Sequence, residues 1–225
     1  MLEQIRGKLV VSCQALADEP LHSSFVMGRM ALAAKEGGAA AIRAQGVGDI
    51  LEIRRVTGLP VIGLIKRRQE DSPVYITPTA REVTELLATP CEMVALDATR
   101  WRRSGEAAEL MARIHGAGRL ALADVATYEE GLGAVKAGAD AVSTALAGYT
   151  EDSPLTSGPD LALVERLVAA LPVPVLAEGR IASPEDLRRA MAAGAWAAVV
   201  GSAITRPQLI TAEFARALMP PEARS

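Results

Sequence analysis

The sequence predicts a single (β/α)8 TIM barrel that spans residues 1–225, and three features lead to this fold class. Short apolar segments alternate with amphipathic segments at intervals of about 25 to 30 residues. The apolar segments lack a polar residue at every second position, which is typical of strands buried on both faces of a parallel sheet. Glycine recurs where a helix runs into the next strand. Eight such units favour a closed barrel over the alternative, a doubly wound open sheet.

The predicted strands lie, in chain order, at residues 8–14, 40–45, 60–67, 92–99, 120–127, 140–146, 174–180 and 197–203. Helices are predicted between them. Ser183 marks a helix N-terminus, because Pro184 and two acidic residues follow it, and Asp160 marks a similar start. The phrases AKEGG, VKAG and MAAG indicate helix ends at glycine. A last apolar-striped helix at 207–219 is predicted to pack on the barrel.

Composition excludes several classes of function. Hydrophobic residues make up 50% of the chain and aromatic residues only 3%, so Ala, Val, Leu and Ile must fill the core. The formal charge of -3 and the absence of a dense Lys/Arg run predict neither a nucleic acid nor a membrane as partner. The N-terminal apolar run is too short for a signal-peptide core, so we expect a cytoplasmic protein. A homodimer is compatible with the sequence.

The cysteines and histidines predict no metal site and no disulfide. Cys13 and Cys91 both fall inside predicted strands and lack CxxC spacing. His22 lies in the first loop, and His115 falls at the end of a helix on the far side of the barrel. Because no histidine follows a strand, a Ser/His or Cys/His nucleophile is disfavoured as well.

Polar residues follow the predicted strands, and in a parallel barrel all these strand ends meet at one mouth. They are Gln14, Arg43, Lys66, Asp97, Asp124, Thr144, Glu178 and the pair Gly201-Ser202. Lys66 and Glu178 stand out, because each follows an apolar run in which a charge is costly unless it is paired or its pKa is shifted. Burial would lower the pKa of Lys66 and a nearby carboxylate would raise it. A base near neutrality is therefore one reading, and an ion pair with Glu178 is the other.

The loops after the last two strands predict a phosphate site. Gly179 and Arg180 follow the seventh strand, while Gly201, Ser202 and Arg206 follow the eighth. Loops in this position commonly bind phosphate in such barrels, because glycine lets backbone N–H groups approach the anion and arginine adds a planar fork of donors. The loops 67–79 and 147–159 are long enough to cover the same face.

Several motifs together resemble the N-acetylmannosamine-6-phosphate 2-epimerase family, in order and with compatible spacing. They are VSCQALADEPLHSS (11–24), AIRA (41–44), PVIGLIKR (60–67), VYITPT (74–79), ALDAT (95–99), LAD (122–124), AGYT (147–150), AEGRI (177–181) and VVGSAITRP (199–207). The chain departs from the family at Ser143-Thr144-Ala145-Leu146, where relatives commonly show Gly-Thr-Thr-Leu. It also departs at Arg68-Gln69-Glu70, which follows IKR where relatives carry Asp-Tyr or similar.

The resemblance implies a barrel that interconverts N-acetylmannosamine 6-phosphate and N-acetylglucosamine 6-phosphate in sialic acid salvage, with no redox cofactor and no metal. The motif match makes Lys66 the catalytic lysine and Glu178 its acidic partner. Gln14, Arg43 and Asp124 match substrate-binding positions. The phosphate end is matched by Gly179, Arg180, Gly201, Ser202 and Arg206.

The expected chemistry is removal of the C2 proton by neutral Lys66, stabilisation of the resulting oxyanion, and return of a proton to the other face. The proton is acidic only in the open-chain aldehyde, and Asp124 is a candidate for assisting ring opening. Two other functions stay open. Lys66 could form a Schiff base in a phosphosugar aldolase or lyase, or the barrel could bind a phosphosugar without catalysis.

Overall fold

The computed structural model describes residues 1–103 and 105–218, and in it parallel strands form a closed barrel in sequence order. The strands are β1 (Leu9–Cys13), β2 (Ala41–Gln45), β3 (Val61–Leu64), β4 (Met93–Asp97), β5 (Leu120–Asp124), β6 (Ala141–Ser143), β7 (Val175–Glu178) and β8 (Ala197–Val200). Leu9 of β1 lies beside Ala198 of β8, and this pairing closes the ring. The predicted fold class is confirmed, and the open sheet is wrong. That 1–225 forms one domain stays a prediction.

The helices between successive strands form the outer layer, as predicted. They are α2 (Ser24–Glu36), α3 (Val47–Thr57), α4 (Ala80–Leu87), α5 (Glu106–Gly116), α6 (Tyr128–Lys136), α7 (Leu161–Ala170) and α8 (Pro184–Ala192), with α1 (Leu2–Ile5), α9 (Ser202–Thr205) and α10 (Pro207–Ala217) at the two ends. Of the helices described, none is long and apolar enough to cross a membrane. The short helices α1 and α9 were not predicted.

The predicted helix signals are largely confirmed. The Ser183 hydroxyl accepts a hydrogen bond from the Asp186 N–H, and the Asp186 carboxylate accepts one from the Ser183 N–H, so the two form a capping box. The Asp160 carboxylate accepts from the Leu163 N–H at 3.0 Å. Gly194, at φ +93°, takes the left-handed conformation that turns the chain from α8 into β8.

The last helix differs from its prediction. No residue of α10 is buried, and Leu209, Phe214 and Leu218 at the end of the chain's described part are strongly exposed. Packing of this helix into the barrel wall is therefore wrong. Met219, the last residue of the predicted helix, lies outside the described residues.

The core has an inner and an outer part, both built from small and branched side chains. The inner part fills the barrel and includes Val10, Ile62, Leu122 and Val199. Ile5 of α1 is completely buried against this inner part. The Trp196 indole N–H donates to the Leu2 carbonyl at 2.9 Å, so α1 is held across the amino-terminal end of the barrel. The opposite end is left for the site.

Candidate active site

A cavity of about 660 Å³ opens at the carboxyl ends of the strands. Nine of the ten residues with predicted catalytic, substrate-binding or phosphate-binding roles line it, whereas Asp97 and Thr144, also predicted at the mouth, do not. Those that line it are Gln14, Arg43, Lys66, Glu178, Gly179, Arg180, Gly201, Ser202 and Arg206. The predicted residues are thus brought together, from strands that are far apart in the sequence.

Arg43 reaches from β2 across the barrel to two other strands. Its Nη1 and Nη2 donate to the two carboxylate oxygens of Asp124 at 2.9 and 2.6 Å, and Nη1 also donates to Glu178 Oε2 at 2.8 Å. The guanidinium and Asp124 are almost fully buried. A buried charge is tolerated only when it is paired and hydrogen-bonded, so this network ties β2, β5 and β7 together.

Asp124 is not among the side chains that line the cavity, and its roles as a substrate-binding residue and a helper in ring opening stay predictions. Its side chain is completely buried, and both its oxygens are occupied by Arg43. The chain segment after β3 packs nearby. Ile76 O accepts from the Asp97 N–H at 3.1 Å, so this segment lies across the end of β4.

That segment is an antiparallel hairpin, 66–77, in which Lys66 pairs with Ile76. The Arg67 N–H donates to Tyr75 O, and the Thr77 N–H donates to Ile65 O at 2.7 Å. The Arg67 side chain points away from the cavity and donates to Glu82 and, at 3.1 Å, to Glu85 of α4. The backbone pairing of the hairpin and the anchoring of Arg67 on α4 therefore hold Lys66 in the cavity wall.

The Lys66 ammonium has no hydrogen-bond or ion-pair partner among the residues that the structure describes. Burial lowers the pKa of Lys66 from 10.5 to about 8, and the charges of Arg43 and Arg206 act in the same direction. The carboxylates of Glu178 and Asp124 oppose this shift. Glu178 pairs with Arg43 instead, so the predicted alternative of a Lys66–Glu178 ion pair is not formed.

Glu178 ends β7 and is the acidic group on the cavity wall nearest the Arg43 network. Burial raises its pKa above the usual 4.5, opposed chiefly by Arg43 and reinforced by Asp124. The Ser143 hydroxyl donates to Glu178 Oε2 at 3.0 Å. The Thr144 hydroxyl bonds to both the backbone C=O and N–H of residue 178, which holds the end of β7 against β6.

Two buried polar atoms beside the cavity have no hydrogen-bond partner among the described residues. One is Nε of Arg43, a donor, and the other is Oε1 of Gln14, an acceptor. The Gln14 amide is oriented by its Nε2, which donates to Ser12 Oγ at 2.8 Å. Both atoms therefore have hydrogen-bonding capacity that the described residues do not use.

The predicted phosphate end combines open backbone with two arginines. Gly179 has φ +102°, and Ser202 begins α9, where the first N–H groups of a helix have no carbonyl partner within it. Arg180 is largely committed elsewhere, because it donates to Gly158 O, Ala147 O and Thr156 Oγ1 of the 147–159 loop. Arg180 thus shapes this wall of the cavity through the loop that it holds.

Arg206 is held in place by Glu19 of the first loop. Arg206 Nη2 donates to Glu19 Oε2 at 2.9 Å, and the same oxygen accepts the Leu16 N–H at 2.8 Å. Gln208 Nε2 donates to Glu19 Oε1 at 3.2 Å. Glu19 therefore joins the β1–α2 loop to the start of α10 and fixes the orientation of the guanidinium.

Sequence reasoning missed several cavity residues. Tyr75, Arg68 and Tyr149 line the cavity, but none of them lies at a strand end. The signal that could have identified Tyr75 is the VYITPT stretch, whose apolar run after a loop is typical of a returning hairpin strand. Within the described part of the chain, no cluster of three or more His, Cys, Asp or Glu side chains is arranged to hold a metal ion.

The chain is similar to one protein family along most of its length. Residues 27–219 match a family model described as "Putative N-acetylmannosamine-6-phosphate epimerase". A Clostridium perfringens (strain 13) protein named "Putative N-acetylmannosamine-6-phosphate 2-epimerase" is 60% identical over 216 residues, covering 95% of this chain and 98% of its own. A Clostridioides difficile (strain 630) protein of the same name is 57% identical, covering 97% and 99%.

Solved structures agree. The N-acetylmannosamine-6-phosphate 2-epimerase from Clostridium perfringens superposes with a TM-score of 0.94 at 58% identity, covering 97% of this chain and 96% of that one. The thiamine phosphate pyrophosphorylase from Pyrococcus furiosus superposes with a TM-score of 0.62 at 21% identity, covering 91% and 89%. The second likeness concerns the barrel fold alone.

Proposed function

Because this chain belongs to the N-acetylmannosamine-6-phosphate epimerase family, we propose that it is an isomerase that interconverts N-acetylmannosamine 6-phosphate and N-acetylglucosamine 6-phosphate. The proposal draws on the high identity to epimerases over almost the whole chain. Inversion at C2 requires a base that removes a proton from carbon and a site that stabilises the resulting anion. The cavity offers both kinds of group.

The observation that carries the proposal is the Lys66 ammonium, held at the cavity wall without a partner among the described residues and with a pKa of about 8. An ordinary lysine is almost fully protonated at neutral pH and cannot act as a base. A pKa near 8 leaves about a tenth of Lys66 neutral at pH 7. Burial and the nearby charge of Arg43 thus give Lys66 a neutral fraction that can act as a base.

In the proposed reaction, neutral Lys66 takes the C2 proton of the open-chain aldehyde. The electrons of the C–H bond move into the C1 carbonyl and leave a negative oxygen. Arg43 lines the cavity, and its guanidinium supplies the positive charge that stabilises this oxyanion. Glu178, whose pKa is raised by burial, returns a proton to the opposite face of C2. Exchange with solvent then restores neutral Lys66 and protonated Glu178.

Asp124 acts in this scheme through Arg43. Its two hydrogen bonds to the guanidinium fix the plane of that group and hold it in one orientation. Gln14 presents Oε1 as an acceptor, which fits an N–H or O–H of the sugar. We therefore describe Asp124 as a positioning residue, and Arg43 and Gln14 as substrate-binding residues.

The phosphate of the sugar is assigned to the end formed by Gly179, Gly201, Ser202 and Arg206, with Arg180 shaping the wall beside it. Binding energy from this non-reacting group would hold C2 against Lys66, which lowers the entropic cost of the proton transfer. Proton transfer of this kind calls for no redox cofactor. We also retain the cytoplasmic location and the homodimer as proposals, and sedimentation analysis of the purified protein tests the latter.

The decisive experiment is incubation of the protein with N-acetylmannosamine 6-phosphate in deuterated water, followed by proton NMR. The proposal requires N-acetylglucosamine 6-phosphate to form with solvent deuterium at C2. Lys66→Ala should remove this exchange while the far-UV circular dichroism stays unchanged. Near-normal exchange in that variant would refute the role of Lys66. A covalent adduct after borohydride treatment with substrate would indicate a Schiff base instead.

A further inference from the structure

The two carboxylate oxygens of Glu178 have different surroundings. Oε2 accepts hydrogen bonds from Arg43 Nη1 at 2.8 Å and from Ser143 Oγ at 3.0 Å. Oε1 accepts none from any residue in the described ranges. Since Glu178 lines the cavity, Oε2 is the oxygen anchored in the barrel wall. Oε1 is the oxygen left for chemistry.

Ser143 is well placed to control this arrangement. It is the last residue of β6, beside Asp124 of β5 and Leu176 of β7, and its exposed fraction is 0%. Water cannot reach a buried hydroxyl to replace its hydrogen-bond partner. The hydroxyl therefore keeps donating to the acceptor that the protein provides. The acceptor here is Glu178 Oε2.

We propose that Ser143 is a positioning residue for the epimerisation, because its hydroxyl holds Glu178 Oε2 in the barrel wall, directs Oε1 to the substrate and stabilises the carboxylate form, which is the base when the reaction runs in reverse. This inference rests on the proposed function, since it assigns a role within the same reaction. Ser143 does not touch the cavity and acts only through Glu178.

The charged surroundings of Glu178 explain why one hydroxyl matters. Burial raises the pKa of this carboxyl, and the Arg43 guanidinium of β2 lowers it. Asp124 of β5 raises it, while the Ser143 hydrogen bond and Lys66, after β3, lower it. The charges largely oppose one another, so loss of a single neutral donor to the charged form shifts the balance towards the protonated acid.

The test measures the titration of Glu178 directly. In the full-length protein labelled with ¹³C at glutamate carboxyls, the Glu178 signal is identified by its loss in Glu178→Gln. Ser143→Ala and Ser143→Gly should each raise its titration midpoint by about one pH unit, a tenfold change in the proton equilibrium. Two different small replacements guard against a folding defect in either one. A midpoint that stays the same or falls in the folded variants would overturn the proposal.

A matched control separates the carboxylate contact from general damage to the β6–β7 junction. Thr144→Val removes the neighbouring hydroxyl, which bonds to the backbone of residue 178 and not to its carboxylate. A smaller shift in this variant supports the proposal, and an equal or larger shift contradicts it. In the Ser143 variants, the limb of the kcat–pH profile that follows Glu178 should move upward by the same amount. The titration needs no turnover, so absence of deuterium exchange in the unmodified protein would refute the epimerase function without affecting this result.

Discussion

Lys66→Met is expected to make the protein more stable while it abolishes activity. Methionine has a similar length and suits a buried site, but it carries no charge. Lys66 is held in the folded protein at a pKa of about 8, below its ordinary 10.5. The folded state therefore binds the Lys66 proton more weakly than the unfolded chain does.

The size and the sign of the effect follow from this difference. At about 1.4 kcal/mol for each pH unit, a fall from 10.5 to about 8 costs on the order of 3 kcal/mol. The cost is complete below pH 8, where both states carry the proton. It is relieved between pH 8 and 10.5, because there only the unfolded chain stays protonated. The wild type should gain stability relative to Lys66→Met across that interval.

Urea unfolding followed by circular dichroism at pH 7 and at pH 10 measures the effect. At pH 7 the free energy of unfolding of Lys66→Met should exceed that of the wild type by up to about 3 kcal/mol, and at pH 10 the difference should fall to about 1 kcal/mol. Lys8→Met, which removes an exposed lysine, measures the general effect of the substitution at each pH.

The result that would refute the reasoning is a variant that is less stable than the wild type at pH 7, or a difference that does not change with pH. Either outcome would mean that the folded protein does not lower the pKa of the Lys66 ammonium. The mechanism would then lose its neutral lysine at physiological pH.

Three further outcomes follow from the structure. The kcat/KM of the wild type should show two limbs against pH, one that follows Lys66 near pH 8 and one that follows Glu178, because the reaction needs the neutral Lys66 amine and the protonated Glu178 together. Stopped assays across buffers measure the profile, and a profile without a limb near pH 8 would contradict the role of Lys66. Glu19→Ala should raise KM about fivefold to tenfold with kcat little changed, because Arg206 loses an ion pair that orients it. In an Arg206→Ala background, the same substitution should have no effect. A fall in KM would instead show that Glu19 competes with the phosphate for Arg206. Ile5→Ala should lower the free energy of unfolding by about 2 to 4 kcal/mol with kcat unchanged, and a loss of kcat in the folded variant would show that α1 influences the distant mouth.

The barrel could be predicted from the sequence because its signals are local and repeated. Buried strands, capped helices and turn glycines recur in every unit, and each can be recognised within a few residues. Lys66, Glu178 and Arg43 could be predicted for a related reason. In a parallel barrel, a charged residue at the carboxyl end of an apolar strand lies at the mouth that all the strands share.

The depth of each residue could not be predicted. Asp124 and Glu178 both end strands, yet the first is completely buried and the second lines the cavity. The difference arises from contacts between residues that are distant in sequence, since Arg43 of β2 occupies both oxygens of Asp124 and the hairpin 66–77 lies across the end of β4. The occupation of Arg180 by the 147–159 loop has the same origin. Contacts of this kind leave no periodic pattern in the chain.

The opposite directions of two adjacent side chains have a practical consequence. Lys66 faces the sugar pocket, while Arg67 is fastened on the outside by two glutamates of α4. The placement of the Lys66 amine therefore depends in part on acidic groups that do not line the cavity. Glu85 is partly exposed and lies within reach of a redesign of the surface charges, whereas Glu82 is buried. We expect that a redesign for solubility or thermal tolerance which replaces Glu85 would loosen Arg67, and with it the residue beside it, Lys66.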